Sequence, residues 1–156
     1  MSRQSPYLTT HPIAWRVAAL QRFMRHTRAG AAVTFMGIVR PDPHDSRQVA
    51  ALWYDAYAAM AEAMLERLVE AVRHRHGADV VLLRHRLGRV PVGEISLLAV
   101  VAAAHRAEAY QASQQLIEGI KQDVPIWKRA QYTNGTSAWM DAGAPVGLQE
   151  PSHALV

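Results

Sequence analysis

Only two lysines occur in the sequence, Lys121 and Lys128, although Lys and Arg together number 17. Arginine stays protonated, whereas an amine can lose its proton and then attack an acyl carbon or pass a proton on. The two lysines flank Asp123-Val124-Pro125-Ile126-Trp127. One sits at a predicted helix end and the other after the turn that Pro125 forces, an arrangement in which both amines can converge. Two incidental surface lysines in an arginine-favouring chain are the competing reading. His105-Arg106 is expected to follow a buried strand and open a helix. Free backbone N–H groups and the helix dipole would there add to two side-chain donors, a combination that binds phosphate. A solvated arginine beside a packed histidine fits the same two residues. Arg40 ends a predicted strand and meets Pro41-Asp42-Pro43-His44-Asp45-Ser46. Its guanidinium can hold a phosphate or carboxylate through two parallel hydrogen bonds, or be an ordinary strand-end arginine.

Other groups point less clearly to chemistry. Arg73-His74-Arg75-His76 and Arg84-His85-Arg86 form the densest basic stretch. Stacking aromatics do not interleave with it, so a solvated basic edge is favoured over a nucleic-acid surface. The eight histidines are scattered without His-Glu-x-x-His or comparable ligand spacing, and no metal or other cofactor is expected. With no cysteine in the chain, disulfides, thiolate metal sites and cysteine nucleophiles are excluded.

Alternating helices and strands must position these residues. A short strand from about Tyr7 to Ile13 precedes a helix from about Ala14 to His26 whose inner face would carry Trp15, Ala19 and Phe23. Gly30 opens a strand rich in β-branched and aromatic residues that reaches Arg40. The Pro-rich segment is read as a mobile surface loop. A strand from about Gln48 to Tyr54 and a helix from about Tyr57 to His76 follow, with Ala61, Met64, Leu65, Leu68 and Val72 on its apolar face and Gly77 as its C-terminal cap. Val80 to Leu87 is read as a strand, Gly88 to Gly93 as a turn, and the apolar run Ile95 to Ala102 as a central, buried strand. The helix after His105 runs to about Gln122, buries Ala109, Leu116, Ile117 and Ile120, and cannot pass Pro125. Trp127 to Gln131 makes a last strand, Thr133-Asn134-Gly135-Thr136 a turn, and everything beyond Asp141 a loosely held tail. Without a regular βαβ rhythm, the pattern favours an α+β domain over a doubly wound sheet.

At 156 residues the chain fits one domain, 1–156. Half of it is apolar and 19% charged, which excludes disorder. No apolar run suits a membrane helix, and Met1-Ser2-Arg3-Gln4-Ser5-Pro6 lacks the apolar core of a signal peptide, so a cytoplasmic protein is expected. The net charge of +4 favours anionic partners without choosing among them.

Taken in order, several pieces resemble the molybdopterin synthase large (catalytic) subunit, the MoaE family. They are Gly30 to Arg40, Tyr54-Asp55-Ala56-Tyr57, His85-Arg86-Leu87-Gly88, Val92-Gly93-Glu94, Ala104-His105-Arg106, and Lys121-Gln122-Asp123-Val124-Pro125-Ile126-Trp127-Lys128-Arg129. The similarity extends over roughly residues 7–140, and the closing Lys-x-x-x-Pro-x-Trp-Lys is its most specific part. It implies an α/β-hammerhead-type single domain, with a mixed, largely antiparallel sheet and about three helices. It further implies a heterotetramer, in which a central homodimer carries a small ubiquitin-like sulfur-carrier subunit at each end.

The carrier's C-terminal Gly-Gly thiocarboxylate would enter a pocket on this chain, and two deliveries would turn cyclic pyranopterin monophosphate into molybdopterin. A cysteine-free catalyst agrees with sulfur arriving on a partner. By matching positions, the resemblance gives Arg40, His105 and Arg106 to the pterin and its phosphate, with the His-Arg pair supplied across the dimer interface. It gives Lys121 and Lys128 to the reaction centre, Lys121 being the essential amine, and sets Val39 and Arg129 at the pocket's border. Neither nucleic acid nor membrane is an expected partner. Ile38, Trp53 and Ala130 depart from the family pattern, each where a charged residue is frequent; a catalytically silent basic scaffold, or a degenerate paralogue, is the alternative.

Overall fold

A computed structural model describes residues 5–41 and 46–140. The expectations for the tail beyond Asp141 and for most of the Pro-rich segment lie outside them. The chain runs β1 (Leu8–Thr9), α1 (Val17–Met24), β2 (Ala31–Ile38), β3 (Val49–Ala56), α2 (Ala58–His76), β4 (Ala78–Arg86), β5 (Gly88–Pro91), β6 (Ile95–Ala103), α3 (Arg106–Asp123), β7 (Ile126–Tyr132) and β8 (Ser137–Trp139). The α+β class and the three helices are as expected. The strands form two four-stranded sheets rather than one, ordered β1-β4-β6-β2 and β5-β3-β7-β8. Pairing is antiparallel throughout except for β1 with β4.

β6 is flanked on both sides, and its Ala99 to Ala103 are essentially inaccessible. The apolar run therefore has the buried place its composition requires. Side chains alternate across the first sheet, and Leu83, Leu97, Ala99 and Val101 pack with Leu65, Val72, Leu116 and Ile120 of α2 and α3 in the main core. A smaller core belongs to the second sheet and unites Val39, Val49, Leu52, Val90, Ala130 and Tyr132. α2 ends at Gly77 in the left-handed conformation, φ 59°, with its N–H donating to the Arg73 carbonyl, and α3 ends before Pro125.

Three expectations need correction. The face Trp15, Ala19, Phe23 does not pack inward: α1 buries no residue, and Phe23 is 46% exposed. Amphipathic spacing identifies a stripe but not the surface that covers it. Gly88 to Gly93 is not simply a turn, because Gly88–Pro91 pairs with β3 and Val90 is fully buried opposite Leu52; only the residues after Pro91 reverse the chain. The basic edge is broken, because His85 and Arg86 are buried at 6% and 5% exposure while Arg73, His74 and Arg75 are exposed. The alternation of β4 turns His85 towards the core, and Arg86 is neutralised by an ion pair with Glu94. Among the described residues no helix is long and apolar enough to cross a membrane.

Candidate active site

A cavity of about 540 Å³ opens where the two sheets meet the C-terminal end of α3. Its floor follows from one register row across the first sheet, in which Leu97 faces both Gly37 and His85. Gly37 is closely packed in that row: a Cβ there would lie 3.3 Å from the Leu97 Cβ and 3.6 Å from the Ser96 Oγ, so the neighbours would have to give way to any side chain. The register slips between Gly37 and Ile38, consistent with a bulge, and the Ser96 hydroxyl donates to the Gly37 carbonyl at 3.1 Å. The second sheet contributes Tyr54 and Lys128, which are register partners on β3 and β7.

Lys121 reaches the cavity from the last turn of α3, Lys128 from β7, and Arg40 from the segment leaving β2. Pro125 is the device that joins the two lysines, since it stops α3 and lets the chain re-enter as β7 within a few residues. Val39 lines the same cavity, but at 2% exposure its side chain belongs to the smaller core. Its N–H donates to the Glu94 carbonyl and its carbonyl accepts from the Gly93 N–H, at 3.0 and 2.8 Å. Val39 thus fixes the backbone from which Arg40 projects. Glu94 in turn is held by Arg86, whose guanidinium also donates to the Arg89 carbonyl at 3.2 Å.

The other predicted site residues lie elsewhere. His105 is the extended N-cap residue of α3 and Arg106 its first helical residue, and both are exposed. Lys121 is near the opposite end of that helix, about 22 Å away at 1.5 Å rise per residue. Arg129, next to Lys128 on β7, is buried at 7% exposure with its guanidinium 5.6 Å from the Trp139 ring centroid; it does not line the cavity. Of the three departures, only Ile38 touches the cavity. Ala130 is fully buried in the smaller core, where a carboxylate would be desolvated, and Trp53 pairs in register with Arg129.

His85 and Tyr54 line the cavity and were not singled out as site residues from sequence. His85 Nδ1 lies 2.8 Å from the Arg86 carbonyl, and its ring meets Tyr54 edge-on at 5.1 Å. Burial pushes its pKa down from 6.5 to about 4, against a smaller opposing effect of the bond to the carbonyl. The imidazole is therefore neutral near pH 7. The available sequence signal was the alternation Val81, Leu83, His85 on one face of a strand.

The family model described as "MoaE protein" matches residues 8–123, a span that ends before Lys128. A molybdopterin synthase catalytic subunit from Oryza sativa subsp. indica is 40% identical over 119 residues, covering 74% of this chain and 61% of the relative. The chain thus spans less than two-thirds of that plant protein. A molybdopterin synthase catalytic subunit from Thermoplasma volcanium is also 40% identical, over 74% of this chain and 84% of the relative. Among solved structures, molybdopterin synthase from Staphylococcus aureus superposes with a TM-score of 0.77 at 29% identity, covering 90% of this chain and 99% of that one. A complex of subunits 1 and 2 of molybdopterin-converting factor from Helicobacter pylori gives 0.72 at 26% identity, over 85% and 88% of the two chains.

Proposed function

This chain belongs to the MoaE family, and from that membership we propose that it is the catalytic subunit of a molybdopterin synthase. It takes sulfur from the C-terminal thiocarboxylate of a small ubiquitin-like carrier and transfers it to cyclic pyranopterin monophosphate, forming the dithiolene of molybdopterin. The observation that carries the reading is the meeting of Arg40, Lys121 and Lys128 at one cavity, although three separate segments supply them. Arg40 binds an anionic group of the substrate through charge-assisted hydrogen bonds. Lys121 supplies an amine that acts on the carrier's acyl group or moves a proton, and Lys128 supplies positive field. Each delivery forms a C–S bond at a pterin carbon that gives up a C–O bond, its oxygen leaving as water or on the phosphate, and breaks the acyl C–S bond, returning the carrier as a carboxylate whose new oxygen comes from water.

His105 and Arg106 enter the same reaction from a second copy of the chain. The length of α3 keeps one copy's pair away from its own lysines, whereas a two-fold partner can bring the pair to them. The first sheet offers a surface for such pairing: Met36 and Leu82, exposed at 41% and 44%, lie on the face turned away from α2 and α3. The carrier partner is supported by the H. pylori complex of two different subunits.

The test combines the purified chain, thiocarboxylated carrier and pterin precursor and follows dithiolene formation. Product is expected in proportion to the chain. Absence of product with a carrier preparation that a known synthase accepts would end this reading.

A further inference from the structure

We infer that His85 is a hydrogen-bond acceptor for the substrate, taking an N–H of the bound group through Nε2 inside the Lys121–Lys128 cavity. The inference rests on reading that cavity as the sulfur-transfer site. Arg40, Lys121 and Lys128 can only donate while charged. These groups suit the anionic parts of a ligand. Both the pterin ring and the Gly-Gly tail of the carrier also carry N–H groups, which lose a water partner on entering the cavity and need an acceptor there.

His85 has the geometry for that task. A carbonyl can only accept, so the bond to Arg86 puts the imidazole proton on Nδ1 and leaves the lone pair on Nε2. Among the described residues no hydrogen bond is made by Nε2. The ring is held from two sides, by the Arg86 carbonyl and by the edge of Tyr54, and it shares a register row with Leu97 and Gly37 in the cavity floor. Burial keeps the ring neutral beside three cations, so acceptor character is retained at working pH.

Two substitutions separate acceptor from packing. His85→Asn keeps an N–H where Nδ1 was and deletes the acceptor, whereas His85→Gln sets its amide oxygen near the Nε2 position. Calorimetry with the pterin precursor, and separately with carrier bearing an ordinary carboxylate tail, is combined with thermal melting and with KM and kcat. The expected result is a loss of about tenfold in affinity for one of the two ligands in His85→Asn, at near wild-type melting temperature, with partial recovery in His85→Gln. Loss confined to the precursor assigns the N–H to the pterin, and loss confined to the carrier assigns it to the tail. Wild-type binding of both ligands by His85→Asn would overturn the inference, as would parallel loss of binding and melting temperature in both variants. Lys121→Ala is the control for the underlying reading. Full turnover in that protein would discard the cavity as the reaction site, whereas an inactive Lys121→Ala beside a normal His85→Asn would discard only the role of His85.

Discussion

At Lys121, charge and amine make separable contributions. If the side chain only attracts anions, Lys121→Arg keeps most activity; if it attacks or relays a proton, arginine is nearly as inactive as alanine, because guanidinium does neither. Single-turnover dithiolene formation with saturating carrier is expected to give the second result, with a fall of about 100-fold or more, the range of general acid–base contributions. Lys128→Arg should be milder. His85 makes a different prediction, about stability. Unfolded, it binds a proton near pH 6.5; folded, only near 4. Between those values the unfolded chain holds more protons, so its contribution is complete above pH 6.5 and is lost as pH falls towards 4, by up to about 3 kcal/mol. Melting curves from pH 7.5 to 4.5 should fall less steeply for His85→Asn than for the wild type, and equal slopes would refute the burial effect. The lysines were legible because residue type and the proline between them already implied convergence. His85 was not, because a basic run reads as solvated until strand alternation shows which members turn inward.

The elements around Arg40 are held by one ion pair. Arg86 reaches from the end of β4 to Glu94, and the Glu94 carbonyl accepts from Val39, whose neighbour projects into the cavity. Glu94→Ala leaves Arg86 buried without its carboxylate, at a cost of about 3 kcal/mol, the low end for such a loss because Glu94 itself is 43% exposed. Denaturant unfolding should show this as a lower midpoint, and precursor affinity should fall with it even though Glu94 lies outside the cavity lining. An unchanged midpoint would mean that water replaces the carboxylate. Helix and strand identities were readable from periodicity, as for β6 and α3, where one face or both are buried. The short β5 was hidden inside a Gly- and Pro-containing turn signal, because its pairing with β3 joins residues far apart in sequence. The division into two sheets escaped for the same reason: alternation shows which side chains share a face but not which strands share a sheet.

At the scale of the whole molecule, the proposed function makes the arrangement of α3 the feature that sets how many copies complete one active site. Its 18 residues keep Arg106 at one end and Lys121 near the other, so both can serve one small ligand only if they come from different copies. The proposed two-fold dimer would have two composite sites, each with the lysines of one chain and the His-Arg pair of its partner. This assembly makes a prediction that no single-chain site shares. Arg106→Ala and Lys121→Ala homodimers should each be inactive, because every site lacks one group. In a mixed dimer both lesions fall in one site, and the other has all its native residues. Random exchange at equal concentrations makes roughly half of the dimers mixed, each with one competent site, so activity should return to roughly a quarter of the wild-type value. Subunits are exchanged under mild denaturant and renatured together, and dithiolene formation is compared with each variant refolded alone. Failure to recover activity, with mixed dimers demonstrated by differential tagging, would place both groups in the same chain's site and require α3 or the cavity to rearrange when substrate binds.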